Sequence, residues 1–120
     1  MPDAKELLYV NLYEVFAERD PVKRRAAIER AYAEDVRFID SEGEVVGRQM
    51  LNDRAQALLD GAPPEFAFQE DGPRYVSTDT AALPWRFGPP DAPVARGIDI
   101  ITVRDGRVSV LRTLLASERT

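Results

Sequence analysis

Two aspartates stand where this sequence could do chemistry. In Val36-Arg37-Phe38-Ile39-Asp40 the alternation puts Val36, Phe38 and Asp40 on one face of a strand. A carboxylate aligned with apolar neighbours is either the first residue of a turn, here Ser41-Glu42-Gly43, or a group placed in a pocket. The second, Asp99, is the only acid in Gly97-Ile98-Asp99-Ile100-Ile101-Thr102-Val103. Both faces of that run are apolar, as in a central covered strand, so a lone carboxylate there needs a partner. An acid held in apolar surroundings can be tuned to take or give a proton near neutral pH.

The element that should supply the partner is a hairpin. Asp105-Gly106 is the strongest short hairpin signal in the chain. An unbulged two-residue turn pairs Arg104 with Arg107, Val103 with Val108, Ile101 with Val110 and Asp99 with Arg112. That register puts a guanidinium across from Asp99, within direct reach. The competing reading makes Asp99–Arg112 a structural ion pair and Asp40 a turn cap, in a binding or dimerisation domain without catalysis.

Upstream, residues 4–18 carry Leu8, Leu12, Val15 and Phe16 at helical spacing. Asp20-Pro21 starts a second helix, expected over 21–33, and a third spans 48–60 before Gly61 and Pro63-Pro64. Strands are expected at 36–40 and 44–46, then over 66–76 with a break at Asp71-Gly72-Pro73. Others follow at 81–87, kinked or at an edge at Pro84, and at 95–104 and 107–116. This order predicts a single α+β domain over 1–120: a curved antiparallel sheet closed by three helices around a cone-shaped cavity. A cavity of roughly 300 Å³ or more, with Asp40 at its floor, is the form that favours function over a filled core.

Composition narrows the chemistry. The chain has 120 residues and no histidine or cysteine. Ser-His and Cys-His nucleophiles are excluded, and zinc loses its usual ligands. The net charge of −5 argues against nucleic-acid binding. No apolar run is long enough for a membrane span, and Met1-Pro2-Asp3-Ala4-Lys5-Glu6 has no signal-peptide pattern. A cytoplasmic setting fits, no cofactor or metal is called for, and Asp, Glu, Tyr, Lys or Arg must do any acid–base work.

The pattern resembles the nuclear transport factor 2-like superfamily, which includes SnoaL-like polyketide cyclases, ketosteroid isomerases and limonene epoxide hydrolases. The resemblance covers essentially the full length and implies a cystatin-like α+β barrel. It rests on Tyr32-Ala33-Glu34-Asp35-Val36-Arg37-Phe38-Ile39-Asp40, on Gly43 and Gly47, on Gly97-Ile98-Asp99 and on Asp105-Gly106-Arg107-Val108. It implies that Asp40 matches the general base of ketosteroid isomerases and Asp99 the acid of their oxyanion hole. Thr113 stands where the epoxide hydrolases carry an acid. An arginine opposite Asp99 would favour its ionised form, which cannot donate to an oxyanion, and so counts against isomerase chemistry.

The resulting expectation is a small-molecule isomerase or cyclase that abstracts a proton next to a carbonyl on an apolar cyclic substrate. Asp40 is its base and Asp99 with Arg112 binds the substrate oxygen. Tyr13 and Tyr32 offer hydroxyls, and Phe16, Phe38, Met50, Leu59, Trp85 and Phe87 line the pocket. The superfamily resemblance implies a homodimer through the open sheet face.

Overall fold

The computed structural model describes residues 3–117. Asp3 caps the first helix through its side chain, on the Glu6 N–H at 2.9 Å. Helix α1 (Ala4–Tyr9) then widens into a π-helical segment (Val10–Phe16), which buries Asn11, Leu12, Val15 and Phe16. Asp20 caps α2 (Pro21–Ala31), with Pro21 at its first position as expected. Helix α3 (Arg48–Asp60) ends at Gly61. The fully buried Arg24 guanidinium ties α2 to its neighbours, donating to Asn52 Oδ1 at 2.9 Å, Glu18 O at 2.7 Å and Gln56 Oε1.

Helix α2 stops sooner than the spacing predicts. Tyr32 already has extended backbone and begins β1 (Tyr32–Asp40). Arg48 holds this junction by donating to the carbonyl of Tyr32 at 2.7 and 3.0 Å and to that of Glu29 at 3.2 Å, groups a helix end leaves unpaired. The remaining strands are β2 (Gly43–Val46), β3 (Ala67–Glu70), β4 (Tyr75–Val76), β5 (Thr80–Gly88), β6 (Ala95–Arg104) and β7 (Arg107–Leu115). Their order is β2-β1-β7-β6-β5-β3, with β4 also on β5.

The α+β expectation holds, with one difference. The β1–β7 pair is parallel, so the curved sheet is mixed and it does not close. The break between β3 and β4 falls at Pro84, whose missing N–H faces that gap and whose carbonyl accepts from Asp71 N–H at 2.9 Å. The helices cover one face of the sheet, and the core lies between them. Among the described residues, no helix is long and apolar enough to cross a membrane.

The hairpin forms as expected at its tip. Asp105 and Gly106 have φ of 54° and 77°, and Arg104 pairs with Arg107 and Val103 with Val108. Beyond that, a bulge at Ser109 shifts the register: Thr102 pairs with Val110, and Asp99 with Thr113. The expected Asp99–Arg112 pairing is therefore wrong. A slip of one residue reverses every later side chain of β7. Leu111 and Thr113 now face inward, while Val110, Arg112 and Leu114 share the outer face with Ile98 and Ile100. The bulge leaves Arg112 exposed and spares the fold a buried guanidinium, a costly ion to desolvate.

Gly97 lies between Trp85 on β5 and Leu115 on β7. A Cβ there would sit 2.5 Å from Trp85 Cζ2 and 2.7 Å from the Leu114 carbonyl. Gly97→Ala should therefore cost about 1–3 kcal/mol in urea unfolding, the usual penalty for overpacking. A variant as stable as the wild type would show that the indole has room to move.

Candidate active site

The curved inner face and the helices enclose a cavity of about 160 Å³. It is lined by Phe16, Phe38, Asp40, Ser41, Glu42, Leu58, Phe68, Trp85, Asp99, Thr113 and Leu115. Both sequence-identified acids reach it, at opposite ends of an exposure gradient. Asp99 is only 5% exposed and forms the inner end. Asp40 is half-buried beside the exposed Ser41 and Glu42, so it stands at the mouth and not at the floor. The cavity is also smaller than expected. A larger groove of about 680 Å³ at the start of β1 is open to solvent and lined, apart from Ala33, by charged residues, away from both acids.

Three elements converge on the Asp99 carboxyl group. Trp85 Nε1 donates to Oδ1 at 2.9 Å, Thr113 Oγ1 to the same oxygen at 2.8 Å, and Asn11 Nδ2 to Oδ2 at 2.7 Å. Trp85 reaches it because Gly97 lets the indole lie flat across β6. Asn11 reaches it from the buried stripe of the π-helical segment. The Tyr32 hydroxyl donates to Asn11 Oδ1, the end of the amide turned away from Asp99. Burial raises the Asp99 pKa above the ordinary carboxylate value, against the opposing pull of the hydrogen bonds from Thr113, Trp85 and Asn11. Burial, and then the nearby Asp99 charge, push the Tyr32 hydroxyl well above its ordinary value.

Asp40 has different surroundings. Its oxygens accept from Arg54 Nη1 of α3 at 2.8 and 2.7 Å, and Oδ1 accepts the Glu42 N–H at 2.9 Å. The turn-capping role is therefore real, alongside its place in the cavity wall. The purely apolar pocket expected around it is absent, because α3 supplies a cation. The Arg54 guanidinium also packs over the Phe38 ring, 5.8 Å from its centroid.

Phe16, Phe38 and Trp85 line the cavity as expected, with Phe16 and Phe38 edge to face at 5.7 Å. The other candidates lie elsewhere. Tyr13 accepts the Glu70 N–H at 3.1 Å, and burial raises its pKa. Tyr32 acts on Asp99 only through Asn11. Phe87 is stacked on Phe68 at 4.3 Å within the core. Leu59 is buried in α3 while its neighbour Leu58 faces the cavity, and Met50 lies on the exposed side of α3. Arg112 is exposed on the outer face, so no guanidinium holds Asp99 in its charged form.

Sequence reasoning missed Asn11, Arg54, Phe68 and Thr113. Asn11 left a signal: it is a polar residue three after Leu8 and four before Val15, inside an apolar helical stripe. Thr113 was hidden by the bulge. Arg54 is one of two arginines on α3, in a chain rich in arginine, and left none.

The comparisons agree with this fold. A family model described as SnoaL-like domain matches residues 9–111. No curated protein matches the chain in sequence. Among solved structures, an Agrobacterium tumefaciens protein provisionally named an isomerase of the SnoaL-like family is 23% identical. It has a TM-score of 0.85, over 94% of this chain and 97% of that one. A Jannaschia protein provisionally named a SnoaL-like polyketide cyclase is 17% identical, with a TM-score of 0.76 over 92% and 83%. A Kribbella flavida protein provisionally named a ketosteroid isomerase is 17% identical, with a TM-score of 0.71 over 98% and 82%. At these identities the likeness concerns the fold.

The raised Asp99 pKa has a thermodynamic consequence. Between the ordinary and the raised value, the folded state holds a proton that the unfolded chain has released. Stability linked to Asp99 is full below that window and is lost as pH rises through it. In urea unfolding from pH 3 to 8, the wild type should lose ground to Asp99→Asn as pH rises. A gap that widens in the wild type's favour would contradict a raised pKa.

Proposed function

The chain belongs to the SnoaL-like domain family, and we propose that its cavity catalyses proton abstraction next to a carbonyl, as an isomerase or cyclase acting on a small apolar ring compound. The observation that carries this reading is one cavity in which two aspartates stand in opposite surroundings, with Glu42 at its opening. Asp40 is ion-paired at the mouth, whereas Asp99 is desolvated at the inner end among neutral donors. Paired acids in contrasting environments are a way to obtain a base and an acid in one site. Asp40 takes the proton from carbon, and neutral Asp99 supports the substrate oxygen. Phe16, Phe38, Phe68 and Trp85 provide the apolar wall.

The volume restricts the substrate. An apolar cavity on the order of 150 Å³ holds a single six-membered ring. The reacting ring sits inside, and any larger substituent extends past Leu58, Glu42 and Leu115 at the opening.

The test is α-proton exchange of cyclohex-2-enone and cyclohexanone in D2O, followed by NMR. The wild-type chain should accelerate exchange, and Asp40→Asn should reduce that acceleration about 10²- to 10⁴-fold, the usual contribution of a positioned base. Exchange unchanged by Asp40→Asn would remove Asp40 as the base. Ring binding without exchange would leave the non-catalytic alternative, favoured by the Asp40–Glu42 turn cap.

The outer sheet face is assigned in the same proposal to a second copy of the chain. Ile98, Ile100, Val110 and Leu114 lie there on adjacent strands around Arg112, which stands across from Ile100, and the Arg37–Glu44 pair at 2.7 Å flanks them beyond Val110. Apolar side chains around a central arginine are suited to association, since arginine is enriched at interfaces. Sedimentation should give a dimer for the wild type and a monomer for Ile100→Glu. A wild-type monomer at high concentration would exclude this assembly.

A further inference from the structure

Among the partners of Asp99, Thr113 differs in kind. The Trp85 indole N–H can only donate. The Asn11 amide turns its N–H2 to Asp99 and its Oδ1 to the Tyr32 hydroxyl, and it could accept from Asp99 only by turning over whole. The Thr113 hydroxyl alone can reverse without moving a heavy atom: it can donate to Asp99 Oδ1 or accept from it across the same 2.8 Å. Thr113 also lines the cavity, on the strand next to Asp99 and in register with it.

We propose that Thr113 is the hydroxyl through which Asp99 acts on the ligand, and that it selects ligands presenting an acceptor oxygen. This rests on reading the cavity as a carbonyl site. When Asp99 is ionised, Thr113 donates to Oδ1 and turns only lone pairs toward the cavity. When Asp99 carries a proton on Oδ1, that proton is donated to Thr113 Oγ1. The threonine hydrogen is then free to point at the ligand. The wall thus changes from acceptor to donor with a single proton, with no movement of backbone or indole.

The same reversal balances the reaction. Asp40 takes the proton from the carbon next to the carbonyl, and the C–H electron pair forms the new C=C bond. The carbonyl π pair moves to oxygen, which takes the Thr113 hydroxyl proton as Thr113 takes the Asp99 proton. The products are an enol, protonated Asp40 and the Asp99 carboxylate. Return of the proton from Asp40 to carbon reverses the chain at oxygen, so no further reactant is consumed. In this role Thr113 touches the substrate, while Tyr32 and Asn11 are positioning residues.

The other charged or titratable groups around the cavity are Asp40 with Arg54 from α3, Glu42 at the mouth, and Tyr32 behind Asn11. From the π-helical segment, β5 and β7, the groups meeting Asp99 are Asn11, Trp85 and Thr113, none of which titrates near neutral pH. A pH response that disappears with the Thr113 hydroxyl is therefore attributable to the Asp99–Thr113 pair.

The chain has one tryptophan, so the Trp85 indole N–H gives a single NMR signal inside the site. Binding of cyclohex-2-enone and of methylenecyclohexane, the same ring without oxygen, is followed on that signal from pH 4 to 8. Wild type and Thr113→Ser should bind the enone more tightly as pH falls. Thr113→Val should bind it about tenfold more weakly at the acid end, the worth of one good hydrogen bond, and without that pH response. All three should bind methylenecyclohexane alike, which shows that the valine variant keeps its cavity. Equal enone binding by wild type and Thr113→Val overturns the role of Thr113 and leaves the carbonyl site standing. A wild type that binds the hydrocarbon but not the enone, or binds neither, overturns the carbonyl site and this inference with it.

Discussion

The constraint on which the rest of this structure depends is the desolvation of one carboxyl group. Taking a carboxylate out of water costs several kcal/mol even after relaxation, so Asp99 is tolerable only with donors in place or with a proton bound. Each donor comes from a different part of the chain: Asn11 from the first helical segment, Trp85 from β5 and Thr113 from β7. Those bonds fix how the helix and two strands sit around β6. No buried side-chain polar atom among the described residues lacks a partner, so the network is closed and not half made. The missing side chain at Gly97 belongs to the same constraint, since only there can an indole cross β6 and reach the carboxyl.

The bulge at Ser109 decides what kind of donor Asp99 receives. Without the extra residue, Arg112 would stand across from Asp99, and a guanidinium favours the charged carboxylate. With it, Thr113 takes that place, and burial dominates the Asp99 proton affinity. One residue of register therefore separates a structural ion pair from a carboxyl group able to hold and release a proton. The Ser109 hydroxyl donates to the Thr102 carbonyl at 3.2 Å, so the bulged segment is tied back to the ladder it interrupts.

What could be read in the sequence follows from how local each feature is. Asp20-Pro21, Gly61 and Asp105-Gly106 act within a few residues, and each ends or starts an element where expected. Asp40 and Asp99 were legible because an acid in an apolar alternation is conspicuous whatever lies opposite. Features that depend on a second chain segment were not legible. Arg54 reaches Asp40 across 14 residues, and Asn11 reaches Asp99 across 88. The assignment of Arg112 failed for a quantifiable reason: a single inserted residue reverses a period-two pattern. Leu59 and Met50 failed by one helical step each, because α3 buries Leu51, Ala55 and Leu59 in the core and turns Leu58 to the cavity.

The two acids also differ in how freely each can respond to a ligand. Asp40 accepts on both oxygens from Arg54 and on Oδ1 from the Glu42 amide, which leaves one lone pair of Oδ2 without a partner among the described residues. Its position near solvent lets water answer a change in its charge. Asp99 has no such access, and any change in its charge must be answered by groups already present. Trp85 cannot answer, since its N–H has one direction only, and Asn11 could answer only by turning its whole amide over. The response is left to a hydroxyl that rotates in place. A rigid site with one rotatable donor can change its charge without being rebuilt, which is what preorganised catalysis in a desolvated pocket requires.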